Sequence, residues 1–450
     1  MKGGAYGFRV KQISFVLFAL ACGSLLLWVQ QRPPFLTSLL SARLSQFFPE
    51  PEMPSQINVD EVVHSPLTGE NTKELSSVDY TNVAPASCRN ITLGVSNGDN
   101  RNVKSHNKRG CNYFQGKWVL DDSRPFYSGS QCTRWLSGMW ACRLNQRPDF
   151  TYEKLRWKPT NCEMEDFTGT KFLTRMQDKT VAFIGDSLAR QQFQSLMCMV
   201  TGGEDRPDVQ DVGKEYGLVK ARHAKRPDGW AYRFPCTNTT ILYYWSASLS
   251  NLVALNSSSM TDYAMHLDHP PAFLSKFLHK FNVLVLNTGH HWNRDKLKAN
   301  RWIIYVNGKP NTEEKIATDM QAAKNLTIHS IVQWVNSQLP KYPDLKAFYR
   351  TISPRHFMNG DWNTGGTCDN TTPSSKGKEV SQDESKDPFP YSAVKGTNVT
   401  LLDITSISHV RDDAHISKYS IRPTPGMQDC LHWCLPGVPD TWNELLFAHL

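Results

Sequence analysis

The sequence lacks the features that mark several classes of protein. No CxxC pair occurs among its 11 cysteines, which argues against a structural zinc site. The net charge is +8, yet no basic run is interleaved with aromatic residues, so no nucleic-acid partner is expected. No acidic motif lies near the adjacent His290 and His291, so we expect packing or substrate-contact residues there and no metal. There is also no internal repeat.

Long apolar runs are scarce, and the one near the N-terminus, Ile13–Val29, has 17 residues, the short end of the range for a membrane-spanning helix. Lys2, Arg9 and Lys11 precede it without an acidic residue between them, so the positive-inside rule keeps residues 1–12 in the cytosol and translocates the rest. The residues after it show no small-x-small cleavage site, which favours a retained signal anchor over a cleaved signal peptide.

Beyond this predicted anchor, residues 30–108 are rich in Pro, Ser, Thr and Asn, as in a stem that holds a domain away from a membrane. Residues 109–450 are the predicted luminal domain. Ten cysteines beyond the anchor permit disulfides in an oxidising compartment. Six Asn-x-Ser/Thr sequons are expected glycosylation sites: Asn90, Asn238, Asn256, Asn325, Asn370 and Asn398.

Short apolar segments alternate with helical patterns in the predicted domain, which indicates an α/β fold with a parallel sheet. A polar segment, Thr371–Asp387, has almost no apolar residue and is predicted to be a mobile loop. The predicted strands are Thr180–Ile184, Thr239–Ser250, Asn282–Leu286, Lys346–Ile352 and Val399–Ile404. The predicted helices are Leu188–Val200 and Glu313–Gln338.

Ser187 lies where the first of these strands meets a helix, in a Gly-Asp-Ser turn. Open α/β sheets place ligands at the carboxyl ends of their strands, and a helix N-terminus there stabilises negative charge. A serine hydroxyl becomes a nucleophile only beside a base. A Gly-Asp-Ser turn is by itself a weak signal, since Asp186 in such a turn is equally consistent with a simple helix cap.

Asp429 and His432 strengthen the case for chemistry at Ser187. An acid three residues before an imidazole, on one turn, is able to face the same way and orient the ring as a general base. The alternative is a capped surface turn. Cys430 and Cys434 flank the histidine, and disulfides there would hold it in position.

A second polar loop, Asn287–His290, follows the predicted strand Asn282–Leu286. Asn287 offers a side-chain N–H to an oxyanion, and Gly289 lets the backbone approach one. Arg190, one turn after Ser187, is able to reach the same place. We interpret His290 as a packing or substrate-contact residue.

Several motifs in order resemble those of the plant trichome birefringence-like family, the Golgi polysaccharide O-acetyltransferases related to SGNH/GDSL esterases. The resemblance covers Cys111–Leu450, most of the chain. The motifs are Cys111–Val119 (CNYFQGKWV), Gln146–Asp149 (QRPD), Leu155–Pro159 (LRWKP), Phe183–Arg190 (FIGDSLAR), Asn287–His290 (NTGH) and Asp429–Gly437 (DCLHWCLPG).

This resemblance implies an SGNH-like three-layer α/β/α fold with a central parallel sheet and a smaller, disulfide-stapled lobe. It implies Ser187 as nucleophile, His432 as base and Asp429 as its partner, with Arg190 and Asn287 at oxyanion-stabilising positions. The disulfides it implies are Cys111–Cys162, Cys132–Cys198, Cys142–Cys434 and Cys368–Cys430. Cys88 and Cys236 are left over, and a pairing between them stays open.

Two departures from the family pattern concern the acceptor. Gln146 stands where the family often has glycine, and His291 stands where it often has tryptophan. We interpret both as residues that line the acceptor groove, so the identity of the acceptor stays open while the chemistry is unaffected.

The resemblance implies a type II Golgi membrane enzyme that transfers acetyl groups to a cell-wall polysaccharide through an acetyl-serine. Xylan is the expected acceptor, with pectin, xyloglucan and mannan as alternatives. No bound cofactor is expected, but an acetyl donor is required, either acetyl-CoA or an acetylated intermediate. The same residues would also suit a polysaccharide acetyl-esterase, and the fold alone would suit a non-catalytic wall-polymer binding protein.

Overall fold

The computed structural model describes residues 111–222, 224, 226–255, 262–311, 319–381, 385–421 and 426–450. The predicted cytosolic tail, signal anchor and stem, residues 1–12, 13–29 and 30–108, lie outside the described residues. Within the described ranges, no helix is both long enough and apolar enough to cross a membrane.

The described chain alternates strands with helices, as the sequence pattern predicts. The strands are β1 (Gly116–Leu120), β2 (Leu155–Pro159), β3 (Thr180–Gly185), β4 (Gln210–Asp211), β5 (Gly229–Phe234), β6 (Thr239–Trp245), β7 (Asn251–Leu255), β8 (Asp262–His266), β9 (Val283–Leu286), β10 (Trp302–Val306), β11 (Lys309–Pro310), β12 (Lys346–Arg350), β13 (Thr400–Leu402), β14 (His415–Ser417) and β15 (Asp429–Trp433). The α-helices are α1 (Gly169–Arg175), α2 (Ser187–Thr201), α3 (Ala272–Phe277), α4 (Arg294–Ala299), α5 (Met320–Gln338), α6 (Pro388–Val394), α7 (Thr405–His409) and α8 (Val438–His449).

The central sheet has the strand order β13-β12-β9-β3-β6-β5-β4. The strands from β13 to β6 are parallel, and all five derive from segments that the sequence predicted as strands. The expectation of a purely parallel sheet is wrong at one edge, because β5 and β4 run antiparallel. A tight connection between β5 and β6, around the exposed Asn238, makes an antiparallel pair and needs no crossover helix.

Helices cover both faces of this sheet, which confirms the three-layer arrangement. Alternate residues of a strand point to opposite faces, so Val181 and Phe183 of β3 pack towards α2 and α8, while Ala182 and Ile184 pack towards α5. The strands are apolar on both faces because both faces are buried.

The Trp-rich region before β3 does not form a core of its own. Strands β1 and β2 pair antiparallel, and their buried Trp118 and Trp157 belong to the same apolar cluster as Trp433 and Trp442 near the C-terminus. The indole N–H of Trp118 donates to the carbonyl of Ile407 at 2.9 Å. The smaller lobe is therefore joined to the α2 face of the sheet by continuous packing.

A second, smaller sheet was not predicted. It has the order β11-β10-β8-β7 and encloses a separate cluster that includes Met265, Leu267 and Trp292. Its strands are short and partly exposed, so the alternation of apolar and polar residues that marks a strand is weak in their sequence. The predicted helix Glu313–Gln338 is observed from Met320 to Gln338, and residues 312–318 are outside the described ranges.

The polar segment Thr371–Asp387, which was predicted to be a mobile loop, has no helix or regular strand in its described part. That part is nevertheless attached to the rest of the domain by hydrogen bonds. Val380 exchanges two backbone hydrogen bonds with Gly116, at 2.7 and 3.1 Å. Asp387 is buried and accepts a hydrogen bond from the backbone N–H of Ile352 at 2.7 Å. Composition alone does not show such contacts, because they are made with distant parts of the chain.

The four disulfides that the resemblance implied are all formed. They are Cys111–Cys162, Cys132–Cys198, Cys142–Cys434 and Cys368–Cys430. Cys236 is also disulfide-bonded. Cys88 lies outside the described residues, so its pairing stays open.

Removing the Cys142–Cys434 disulfide should lower the melting temperature, because this bond links residues 292 positions apart and lies in the core. Chain entropy assigns about 4–5 kcal/mol as an upper bound to so long a loop, and the other crosslinks reduce it. The measurement is thermal unfolding of the Cys142→Ser/Cys434→Ser double variant without reductant. The matched control is the Cys111→Ser/Cys162→Ser variant, whose loop spans 51 positions. An unchanged melting temperature in the first variant would contradict the prediction.

Candidate functional site

Ser187 is the first residue of α2, directly after the carboxyl end of β3. Asp186 is the N-cap, and its Oδ1 accepts the backbone N–H of Leu188 at 3.0 Å. The cap interpretation of the Gly-Asp-Ser turn therefore holds for Asp186. It does not exclude a chemical role for Ser187, whose hydroxyl lies at the positive end of a 15-residue helix.

Gly185 explains how two loops come together beside Ser187. A side chain there would place its Cβ 2.2 Å from Oδ1 and 2.6 Å from the backbone oxygen of Asn287. Strands β3 and β9 are parallel neighbours, so their loops leave the sheet side by side. Only glycine permits this close approach, which brings the Asn287 loop against the serine turn.

The hydroxyl of Ser187 contacts an imidazole from the other end of the domain. The distance from Ser187 Oγ to His432 Nε2 is 2.8 Å, and the distance from His432 Nδ1 to Asp429 Oδ2 is 2.9 Å. A carboxylate only accepts, so His432 Nδ1–H donates to Asp429 and Nε2 is left to accept from the Ser187 hydroxyl. The geometry is that of a nucleophile, its base and the group that orients the base.

The sequence interpretation placed Asp429 and His432 on a turn, but they lie on strand β15. Residues three apart on a regular strand face opposite sides. Here the pairing of β15 with β14 shifts register, and Asp429 Oδ1 accepts the backbone N–H groups of Leu431 at 3.2 Å and His432 at 2.9 Å. This local turn within the strand brings the two side chains to the same side.

The Asp429 carboxyl remains charged at neutral pH. Burial alone would raise its pKa, but the adjacent His432, which also donates through its ring and backbone N–H groups, holds the pKa of Asp429 well below its usual range. A charged acceptor fixes the Nδ1–H tautomer of the imidazole and stabilises the imidazolium that forms when His432 takes a proton.

Strand β15 is fixed on several sides. The disulfides of Cys430 and Cys434 hold its two halves, and the indole N–H of Trp433 donates to Ser353 Oγ at 2.9 Å. Gln191, one turn after Ser187 on α2, donates to the carbonyl of Trp433 at 2.6 Å and accepts its backbone N–H at 3.1 Å. The sequence offered no signal for Gln191, because its role depends on a partner 242 residues away.

Arg190 is buried beside the site, and no carboxylate within the described ranges forms an ion pair with its guanidinium. Its guanidinium lies 4.5 Å from the Trp140 ring, which in turn stacks on His432 at 5.9 Å. Its Nε has no hydrogen-bond partner among the described residues. Burial, with Arg226 nearby, lowers the pKa of Arg190 to about 10, so it is a cation at neutral pH with donor capacity to spare.

Asn287 lies at the site but its amide is engaged. Asn287 Nδ2 donates to Asp186 Oδ1 at 2.8 Å, which leaves one of its two N–H groups for another acceptor. Burial would raise the pKa of Asp186, but the adjacent His290, His291 and Arg350 and the Asn287 amide together lower it. Asp186 is therefore a charged anchor for the Asn287 loop.

His290 and Gly289 hold the Asn287 loop against its neighbour. His290 Nε2–H donates to the carbonyl of Ser353 at 2.9 Å, and Arg355 Nε donates to His290 Nδ1 at 3.1 Å. Burial lowers the pKa of His290 to about 3, so the ring is neutral with both nitrogens engaged. A Cβ on Gly289 would lie 2.7 Å from Cδ1 of Ile352, so this glycine packs closely against the Ile352 side chain.

The two departures from the family pattern differ in kind. Gln146 adopts φ 63°, the left-handed region that favours glycine, so a backbone requirement accounts for the glycine expected there. His291 packs edge-on against Trp245 at 5.4 Å, near the Asn287 loop. His291 therefore lies at the carboxyl end of β6, one of the central strands.

One group of described residues has the composition of a metal site, and it lies elsewhere. His266, Asp268 and His269 follow one another at the end of β8. The carboxylate of Asp268 is engaged on both oxygens, since His269 Nδ1 contacts its Oδ1 at 2.9 Å and its Oδ2 accepts the backbone N–H of Asn307 at 2.7 Å.

The predicted glycosylation sites differ in accessibility. Asn238 and Asn398 are exposed, whereas Asn325 and Asn370 are half-buried. Asn90 and Asn256 lie outside the described residues.

Comparison with known proteins shows the family to which the chain belongs. Residues 164–449 match PC-Esterase, the GDSL/SGNH-like acyl-esterase family found in Pmr5 and Cas1p, and residues 109–163 match the PMR5 N-terminal domain. The chain is 59% identical over 355 residues to protein trichome birefringence-like 14 of Arabidopsis thaliana, which covers 76% of this chain and 86% of that protein. It is 51% identical over 369 residues to protein trichome birefringence-like 15 of the same plant, with coverages of 80% and 74%. The chain therefore belongs to the trichome birefringence-like family and carries its GDSL/SGNH-like acyl-esterase domain.

Proposed function

We propose that this protein is an O-acetyltransferase that moves acetyl groups to hydroxyls of a plant cell-wall polysaccharide, with xylan as the acceptor. The observation that carries the proposal is the chain of contacts from Ser187 through His432 to Asp429, at 2.8 and 2.9 Å. Membership of an acyl-esterase family gives the reaction class, either acyl transfer or hydrolysis.

The proposed reaction has two halves. In the first, Ser187 Oγ attacks the carbonyl carbon of the acetyl donor while His432 Nε2 takes the hydroxyl proton. The tetrahedral intermediate collapses, the leaving group takes that proton, and an acetyl-serine remains. In the second half, a sugar hydroxyl gives its proton to His432 and attacks the acetyl carbon, and Ser187 Oγ leaves with the proton.

Negative charge develops on the acetyl oxygen in both halves. Ser187 lies at the N-terminus of α2, and the dipole of this helix favours an anion there. The buried cation of Arg190 adds a positive charge one turn away. In this proposal Asn287 positions the loop through Asp186 and offers its second N–H to the oxyanion.

The proposed location is the Golgi membrane, with residues 13–29 as a type II anchor and the catalytic domain in the lumen. Four disulfides and the sequence of the N-terminal segment support an oxidising compartment reached by translocation. The acetyl donor is acetyl-CoA or an acetylated intermediate.

The test is incubation of the full chain with an acetyl donor and unacetylated oligosaccharides of xylan, pectin, xyloglucan and mannan. A mass increase of one acetyl group on the xylan fragment is the expected result. Acetyl modification of another fragment would assign a different acceptor. Release of acetate from acetylated oligosaccharides without any transfer would instead assign an acetyl-esterase.

Ser187→Ala should lower acetyl transfer by ~10⁴-fold or more while the protein keeps its melting temperature. The side chain is small and its hydroxyl is the proposed nucleophile, so the fold should tolerate the change. Mass spectrometry should also find acetyl on Ser187 in the unaltered protein after incubation with donor alone. Appreciable transfer by the purified variant would show that Ser187 is not the nucleophile.

His432→Ala should be nearly as damaging as Ser187→Ala, and the double variant should be no worse than either single one. The reason is that nucleophile and base act in the same step, so their losses do not add. The measurement is kcat/KM for the three variants under one set of conditions. A multiplicative loss in the double variant would count against a shared step.

Arg190→Ala should slow donor hydrolysis and acetyl transfer alike, by ~10²-fold if Arg190 acts as a single oxyanion donor. The choice of polysaccharide should not change. The matched control is Arg156→Ala, which removes an arginine of the Trp-rich lobe that is paired with Asp166. If the Arg190 variant loses transfer but keeps full donor hydrolysis, Arg190 belongs to the acceptor groove instead.

A further inference from the structure

Two histidines that the proposed reaction does not use lie directly behind His432. His415, on β14, is 1% exposed and stacks on Trp433 at 4.0 Å. Its Nδ1 lies 3.0 Å from the backbone carbonyl oxygen of His432. A carbonyl oxygen only accepts, so His415 Nδ1 carries a hydrogen and donates it.

His356 continues this chain of contacts towards the surface. Its Nδ1 lies 2.6 Å from His415 Nε2, and its Nε2 lies 2.8 Å from the backbone carbonyl oxygen of His409. The backbone N–H of His356 also donates to the carbonyl of Cys430 at 3.1 Å, so the residue is fixed on β15 as well.

The number of hydrogens decides the protonation state of this pair. The contacts to His432 and His409 each need a hydrogen on a ring nitrogen, because both partners are carbonyl oxygens. The contact between the two rings needs a third hydrogen. Two neutral imidazoles bring only two N–H hydrogens, so the complete set of three hydrogen bonds requires one additional proton.

The charge belongs on His356. Burial, followed by the neighbouring His356, lowers the pKa of His415 to about 3, which keeps the inner ring neutral and its Nε2 free to accept. Burial and the neighbouring His409 ring also lower the pKa of His356 below its ordinary value, but the carbonyl of His409 and the carboxylates of Asp412 and Asp413 offset part of this effect. His356 is half-buried and borders a cavity of 190 Å³ that Arg355 and Asp412 also line.

The other charged groups near the pair have partners of their own. Asp429 and His432 face His415, and they are bonded to each other. Arg147 donates to the carbonyl of His415 at 2.7 Å and pairs with Asp149 at 2.8 Å. Asp412 is thus the acidic group at the cavity next to His356, where it accepts from Asn370 and from the backbone of Ser374.

We propose that His415 and His356 are positioning residues for His432, and that their hydrogen-bond chain is complete only when the pair carries one extra proton. This proposal rests on the proposed function for the role of His432, whereas the proton count stands on geometry alone. When the extra proton leaves, two lone pairs face each other at one of the three contacts, and that contact opens. The backbone carbonyl of His432 then depends on a ring whose tautomer is no longer fixed.

The first experiment counts protons and needs no activity. The full chain is labelled with ¹⁵N-histidine, and the ring signals of His356 and His415 are assigned by their loss in His356→Asn and His415→Asn variants. At the acidic end of the folded range, His356 should be protonated on both nitrogens and His415 on Nδ1 alone. As pH rises, both rings should respond with one shared midpoint. An Nε2–H tautomer of His415 at the acidic end, a His356 ring that is not doubly protonated there, or independent midpoints would overturn the proposal.

The second experiment separates positioning from simple structure. His415→Leu should lower kcat for donor hydrolysis by ~10-fold with an unchanged KM, because a displaced base affects the chemical step. His415→Asn retains a side-chain N–H near the Nδ1 position and should restore most of kcat. The control is His279→Leu, which removes an exposed histidine from the other face of the sheet.

If the His415 variants fail to fold, a variant of His356 still tests the proposal. His356→Leu changes a half-buried residue and should abolish the pH response of His415 while the protein stays folded. Equal loss of kcat in His415→Leu and His415→Asn, or a change in KM alone, would contradict the positioning role. If the unaltered protein transfers or hydrolyses no acetyl group, the proposed function fails, and the proton count is still decided by the first experiment.

Discussion

The pair of hydrogen bonds between Gln191 and the backbone of Trp433 is the constraint on which the site depends. It joins α2, which carries Ser187, to β15, which carries His432, at 2.6 and 3.1 Å. A nucleophile and its base must stay within hydrogen-bond distance of each other. Because Ser187 and His432 lie on separate elements, this distance is kept only if α2 and β15 are fixed to each other. The carboxamide fixes both backbone groups of one residue, so β15 is prevented from sliding along α2 as well as from moving away.

The surroundings of Ser187 carry buried positive charge. Arg190 lies over Trp140, and Arg350 lies over Trp442 and donates to the carbonyl of Leu188 at 3.3 Å. Burial lowers the pKa of each guanidinium to about 10, so both remain cations. Aromatic faces offset part of their desolvation. Together with the N-terminus of α2 they favour an anion, which suits a tetrahedral acyl intermediate.

Much of the central layer was predictable because its strands are buried on both faces and read as apolar runs. The strand and turn around Ser187 followed from this pattern, and the pairings of the cysteines followed from family resemblance. The prediction that Asp429 orients His432 agrees with their contact at 2.9 Å, but the element that carries them was wrong, because they lie on β15 and a register shift there brings their side chains together. Gln191, His415 and His356 were also missed, since each acts through a contact with a distant residue that no local spacing reveals.

Both disulfides that bracket His432 join β15 to segments far away in sequence, Cys142 and Cys368. In a reducing cytosol neither bond would persist, and the strand that carries the base would lose two of its attachments. The base would then be held beside Ser187 by noncovalent contacts alone, among them the two hydrogen bonds of Gln191. The covalent part of the support of His432 thus depends on oxidation of the newly made chain.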